Sequence, residues 1–250
     1  MALALAGALR YFARGTEAVP TMHQAFERAP QARDESRPSR VEVRRVTALS
    51  DAEFREAVAL LVEAFDGSTL FQLAFPEPAT RRRLVDLLFT AALKDALHFG
   101  QVELAYNGHI AGVFIWYPPG LYPLSALRTL RVLPEYLRML WAAPLGIAKL
   151  ARANMTLNRV RPQVPHCHGY FLGGRPGEQV GNSLARRVLQ IADEVGHPIY
   201  LETQEPRVVN LYTRLGFRML ENGIETVPGG PLTWTMWREP RQANTTTRAA

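Results

Sequence analysis

The residues best suited to chemistry lie in the last third of the chain. Gly173, Gly174, Gly177 and Gly181 fall in a turn that runs into a helix-forming stretch from Asn182. Such a turn is a natural anion site, because bare backbone N–H groups and the positive helix end face a phosphate there. Gly177 and Gly181 let the backbone come close to it. A second group, His166-Cys167-His168, offers metal-ligand atoms. On a strand, His166 and His168 share one face and Cys167 takes the other. Two ligands at that spacing without a third do not make a zinc site. No metal is expected, and the two histidines are expected to line a substrate pocket. A third group ends a predicted strand in Tyr200-Leu201-Glu202-Thr203 and continues into Asn210 and Tyr212 on a short helix.

These residues need a scaffold. Val41 to Val46 alternates enough for a first strand. Ser50-Asp51-Ala52-Glu53 is a capping box, and the helix it opens sets Phe54, Val58, Leu61, Val62 and Phe65 on one face. A second helix begins near Thr80 and carries Leu84, Leu87, Leu88 and Ala91 at helical spacing. Arg81, Arg82 and Arg83 in its first turn oppose the helix dipole; they read as a solvated face, with a contact to an anion or acid as the alternative. Gln101 to Tyr106, the turn Asn107-Gly108 and His109 to Tyr117 form a hairpin. Leu124 to Leu157 is helical and broken at Pro134 and Pro144. Its Leu127, Leu130, Leu133, Tyr136, Leu137, Leu140 and Trp141 either pack together or line a pocket beside the sheet.

The rest alternates strand and helix. His166 to Gly174 is a central strand, Asn182 to Val195 a helix, and Ile199 to Thr203 a buried strand. Val208 to Leu215 is a short helix stopped by Gly216. Phe217 to Glu221 and Leu232 to Arg238 are two last strands. The fold class is therefore α/β, a mixed central sheet flanked by helices with a helical insertion before the central strand. The domain spans residues 41–240. Residues 17–40 and 241–250 are polar and without periodicity, and residues 1–40 and 241–250 read as mobile tails.

Composition narrows the function. The formal charge is +6, but the basic residues are spread along the chain with no nucleic-acid motif, so no nucleic-acid partner is expected. The longest apolar region, Leu130 to Ala151, is cut by Arg131, Glu135, Arg138 and Lys149, so no membrane insertion is expected. A single cysteine, Cys167, excludes an intrachain disulfide and suits a reducing compartment. A cytoplasmic location is expected. Met1 to Arg14, apolar with Arg10 and Arg14, leaves a mitochondrial transit peptide as the alternative.

Tyr200-Leu201-Glu202-Thr203, followed by Asn210-Leu211-Tyr212-Thr213-Arg214-Leu215-Gly216-Phe217, closely resembles the second half of the GNAT acetyltransferase core. Gly108 to Gly120 and Gly229 to Arg238 resemble other parts of one branch of that superfamily. The resemblance implies an acetyl-coenzyme A-dependent N-acetyltransferase acting on an amine of a small molecule or peptide. It implies that the edge of the strand from Tyr170 to Gly174, with Leu172, Gly173 and Gly174 as the binding residues, pairs with the pantetheine arm. Asn210 would hydrogen-bond that arm or the helix start, Tyr212 would protonate the leaving thiolate, and Glu202 would take a proton from the amine. Gln179, Val180, Gly181, Asn182 and Ser183 align with the pyrophosphate loop. That loop is three residues shorter than the family's Pro-x-x-Gln-Gly-x-Gly-x-Gly pattern. The shortening leaves a catalytically impaired binding or regulatory module as the alternative.

Overall fold

A computed structural model describes residues 41–241. The expected tails at residues 1–40 and 241–250 lie outside the described residues, Arg241 excepted. Seven strands form one sheet: β1 (Glu42–Val46), β2 (Gln101–Tyr106), β3 (Ile110–Tyr117), β4 (Cys167–Gly174), β5 (Ile199–Thr203), β6 (Arg218–Glu225) and β7 (Leu232–Arg238). Their order is β1-β2-β3-β4-β5-β7-β6. Every neighbouring pair is antiparallel except β4 with β5, which is parallel. The mixed α/β sheet with helices around it is as the sequence predicts.

The helices are α1 (Asp51–Ala64), α2 (Thr69–Ala74), α3 (Pro78–Phe99), α4 (Ala126–Arg131), α5 (Leu133–Ala142), α6 (Pro144–Val160), α7 (Gly181–Glu194) and α8 (Pro206–Arg214). Both halves of the capping box form at α1: Ser50 Oγ accepts from the Glu53 N–H at 3.3 Å, and a Glu53 carboxylate oxygen accepts from the Ser50 N–H at 3.0 Å. At α3 the Glu77 carboxylate caps the N–H groups of Ala79 and Thr80. The Arg81 guanidinium donates to the carbonyls of Phe75 and Pro76 at 3.1 and 3.2 Å. It closes the preceding turn. Pro134 and Pro144 sit in the first turns of α5 and α6, where the missing N–H costs nothing. They split the helical insertion at the expected places.

Two apolar layers cover the sheet. One gathers α1, α3 and the inner residues of β2 and β3 around Leu61, Phe89, Leu104 and Ile115. The other sets Leu184, Val188 and Ile191 of α7 and Tyr212 of α8 against Phe114, Leu201 and Met236. The insertion is held to the first layer by a buried charge cluster. Arg128 of α4 donates through Nε to Asp95 of α3 at 3.1 Å and lies over the Phe99 ring at 4.7 Å. The Tyr117 hydroxyl donates to the same carboxylate at 2.8 Å. Removing one partner strands the other charge in apolar surroundings, which costs about 3–5 kcal/mol. Asp95→Ala should therefore lower unfolding stability by about 3–5 kcal/mol in urea denaturation. A loss within the range of exposed pairs, about 1 kcal/mol or less, contradicts the role of this cluster as the anchor of the insertion.

Candidate active site

The site begins where the sheet opens. β4 and β5 are in register at Cys167 with Ile199, His168 with Tyr200, and Gly169 with Leu201, and their pairing then stops. β4 runs on against β3 as far as Gly174 opposite Gly112. β5 stays on β7 along its whole length, to Thr203 opposite Trp234. On the β3 side, Trp116 faces Gly169 and Ile115 faces Phe171, so Tyr170 is the extra residue of a bulge. The bulge falls where the two strands part. Beyond it, the β4 edge turned towards β5 has no neighbouring strand among the described residues. Such an edge accepts an extended arm as an added strand.

A cleft of about 2030 Å³ opens there. Pockets for one small ligand are usually about 300–1,000 Å³, so this one has room for two substrates. Leu172, Gly174, Gln179, Val180, Gly181, Glu202 and Tyr212 all line it. The structure thus gathers most of the sequence-predicted site into one place. Gly173, Asn182, Ser183 and Asn210 are not on its wall. Gly173 faces Leu61 and Ala64, whose side-chain carbons are 3.0 and 3.1 Å from where a Cβ would be. Asn182 and Ser183 are exposed on the first turn of α7, and Asn210 is exposed on α8. The histidines need correction. Neither His166 nor His168 lines the cleft. The Tyr122 ring covers His168 in a parallel stack, 4.0 Å between centroids.

The anion end is built by packing. The N-cap of α7 is Val180, and no side chain caps the first turn. Its N-terminal N–H groups therefore lack intrahelical partners. Val180 is buried, and a Cβ on Gly112 would come within 2.6 Å of its Cγ2. That close approach presses the helix start onto the sheet. Gly177 and Gln179 take left-handed backbone angles, φ 85° and 48°, which turn the short loop into α7. Glu178 points away, with His109 at 2.7 Å and Asn107 at 3.2 Å, so its negative charge is tied to the hairpin.

The chemical end holds a carboxyl and a phenol. Burial pushes the Glu202 carboxyl above the ordinary carboxylate range, and Arg161 beside it opposes the shift. The Arg161 guanidinium is 3.4 Å from a Glu202 oxygen and 4.5 Å from the centre of the Tyr122 ring. Arg161 had no motif to mark it; it follows α6 and lies 41 positions before Glu202. Tyr212 is 6% exposed, edge-on to Phe217, and burial raises its hydroxyl pKa. Its proton is therefore held at neutral pH. Among the described residues, no group of three or more His, Cys, Asp or Glu side chains is placed to hold a metal ion. No described helix is long and apolar enough to cross a membrane.

No family model matches the sequence. Among solved structures, the chain is similar to a histone acetyltransferase HPA2 and related acetyltransferase from Corynebacterium glutamicum, at 23% identity and TM-score 0.61. That likeness covers 82% of this chain and 98% of the other. The chain has the GNAT acetyltransferase fold. Weaker likenesses extend to PH1933 of Pyrococcus horikoshii (13% identity, TM-score 0.49, 80% and 99% covered) and to a Drosophila melanogaster polyamine N acetyltransferase (17%, 0.42, 80% and 99%). Within this GNAT fold, Arg161 and Glu202 yield a prediction on the protein alone. Arg161→Met removes the charge that opposes burial, so the Glu202 carboxyl should titrate at higher pH than in the native chain, read by carboxyl-carbon NMR. An unchanged midpoint would mean that Arg161 does not set the charge of Glu202.

Proposed function

We propose that this protein is an acetyl-coenzyme A-dependent N-acetyltransferase that acylates a small-molecule or peptide amine by direct attack. The observation that carries this reading is the convergence of four features in one cleft. They are the free β4 edge, the uncapped start of α7, the Glu202 carboxyl and the Tyr212 phenol.

The residues present fit the donor. The α7 N-terminus and the turn at Gln179–Gly181 would hold its pyrophosphate through backbone N–H groups and the helix dipole. Leu172 and Gly174 on β4 would pair with its pantetheine arm. The donor supplies an activated acyl group. The β4 edge offers N–H groups to the carbonyl oxygen, which gains negative charge as the amine nitrogen attacks. Glu202 is the base: once ionised, it takes the proton that the amine must lose. Tyr212 is the acid: its proton goes to the sulfur as the carbon–sulfur bond breaks. One proton is removed and one is supplied, so the transfer balances.

The alternative of an impaired binding module rests on the short loop. Against it, the loop still delivers an uncapped helix start to the cleft wall, and Gly112 keeps that start against the sheet. Tyr212→Phe deletes only the hydroxyl and retains the packing on Phe217. We expect kcat to fall by about 10²–10⁴ while coenzyme A affinity stays within a few-fold. Full turnover in the variant would assign Tyr212 to packing alone. Absence of both heat and thermal shift with millimolar coenzyme A would remove the whole reading.

A further inference from the structure

The cleft is chemically divided. Its charged lining residues are Arg175, Glu202, Glu205 and Arg207, all from the end of β4 to the first turn of α8. From Ala64 to Leu157 its lining contains no Asp, Glu, Lys or Arg. This uncharged part is walled by α2 and the helical insertion, with Leu130, Leu133, Leu137, Leu140, Trp141 and Leu145 contributed by α4 to α6. Several of these are bare to solvent: Leu137 is 53% exposed, Leu145 79% and Trp141 93%. A contiguous apolar surface of this kind, opening directly into a polar site, marks a ligand-binding groove.

Charge complementarity selects the occupant. The two carboxylates on the wall, Glu202 and Glu205, are separated by only two residues at the end of β5 and the start of α8. An amine held at Glu202 shares its cleft with the uncharged lobe, whose lining includes Ala151 and Asn154 of α6, and its remaining atoms can extend there. A second ammonium group in that lobe would face leucine and tryptophan side chains with no carboxylate of the lining to meet it. An aliphatic chain would instead bury its methylenes against leucine and tryptophan.

We infer that the acceptor is a lipophilic primary monoamine, with one basic nitrogen at Glu202 and an apolar body in the lobe formed by α4, α5 and α6. The inference rests on the acyl-transfer reading for the place where the nitrogen reacts. It adds the chemical class of the molecule that brings that nitrogen.

The test is calorimetric titration of the whole protein, with coenzyme A present, using n-alkylamines from butylamine to decylamine and, separately, spermidine. We expect the Kd to fall by about tenfold for every two methylenes until the lobe is filled. Spermidine should bind more weakly than octylamine. Leu137→Asp should abolish the chain-length gain. Leu127→Asp, at a residue of α4 that is 79% exposed and off the cleft wall, should keep it. A flat series, tighter binding of spermidine, or a gain that survives Leu137→Asp overturns the inference. So does a chain-length gain confined to acyl groups carried on coenzyme A. If coenzyme A alone fails to bind while the amine series and Leu137→Asp behave as expected, the lobe assignment stands and acyl transfer falls.

Discussion

Everything at this site depends on the separation of two strands that are each held firmly on the other side. β4 is fixed to β3 and β5 to β7, so the sheet behaves as two half-sheets joined by three registered residue pairs. Backbone polar groups seldom remain unpaired when a sheet is buried. Here the open stretch of β4 borders a wide cleft, where a ligand can complete the hydrogen bonds that β5 does not. The bulge at Tyr170 directs β4 away at the point of parting, while β5, paired to β7 throughout, carries Glu202 along the opposite wall. One local irregularity thus sets the separation between the edge that would take a donor and the carboxyl that would take a proton.

The base of the opening is a stack of rings. His168 is 1% exposed, and neither of its ring nitrogens has a hydrogen-bond partner among the described residues. Burial, with Arg161 and His166 adding to it, holds its pKa well below the usual range, so it stays neutral. It serves as a flat, uncharged plate for Tyr122, and Tyr122 in turn lies beneath the Arg161 guanidinium. Tyr170 packs against both Tyr122 and Phe171, at 5.2 and 4.1 Å between centroids. This aromatic stack joins the bulge to the arginine that faces Glu202. A change in the stack should therefore be felt at the carboxyl even without direct contact.

Local signals in the sequence were strong where one side chain decides the backbone. The capping box at Ser50, the Asn107-Gly108 turn and the two insertion prolines each act within a few residues, and each element forms where predicted. α2 went unread because its six residues are too few for a period, although Ser68 caps it. β6 was expected to end at Glu221 and continues to Glu225, because two irregularities in its pairing with β7 break the alternation that marks a strand. Glu202 and Tyr212 were expected from their motif, and both line the cleft. Arg161, Tyr122 and the bulge at Tyr170 were not expected, since tertiary packing and strand pairing alone place them. The division of the cleft was half legible: the apolar face of the insertion could be read as packing or as a pocket wall, and the charge-free lining appears only once the helices are folded over the sheet.

The most direct test of the account is an amide NMR titration of the whole protein with coenzyme A. If the parted strands and the bare helix start hold the donor, the largest shifts will fall on three segments: Tyr170 to Gly174, Gln179 to Ser183, and Glu202 to Thr203. The edge strands β1 and β6 should stay unchanged. Shifts that avoid these three segments, or no shifts at millimolar ligand, would contradict the claim that the opening between β4 and β5 is where this protein takes its acyl donor.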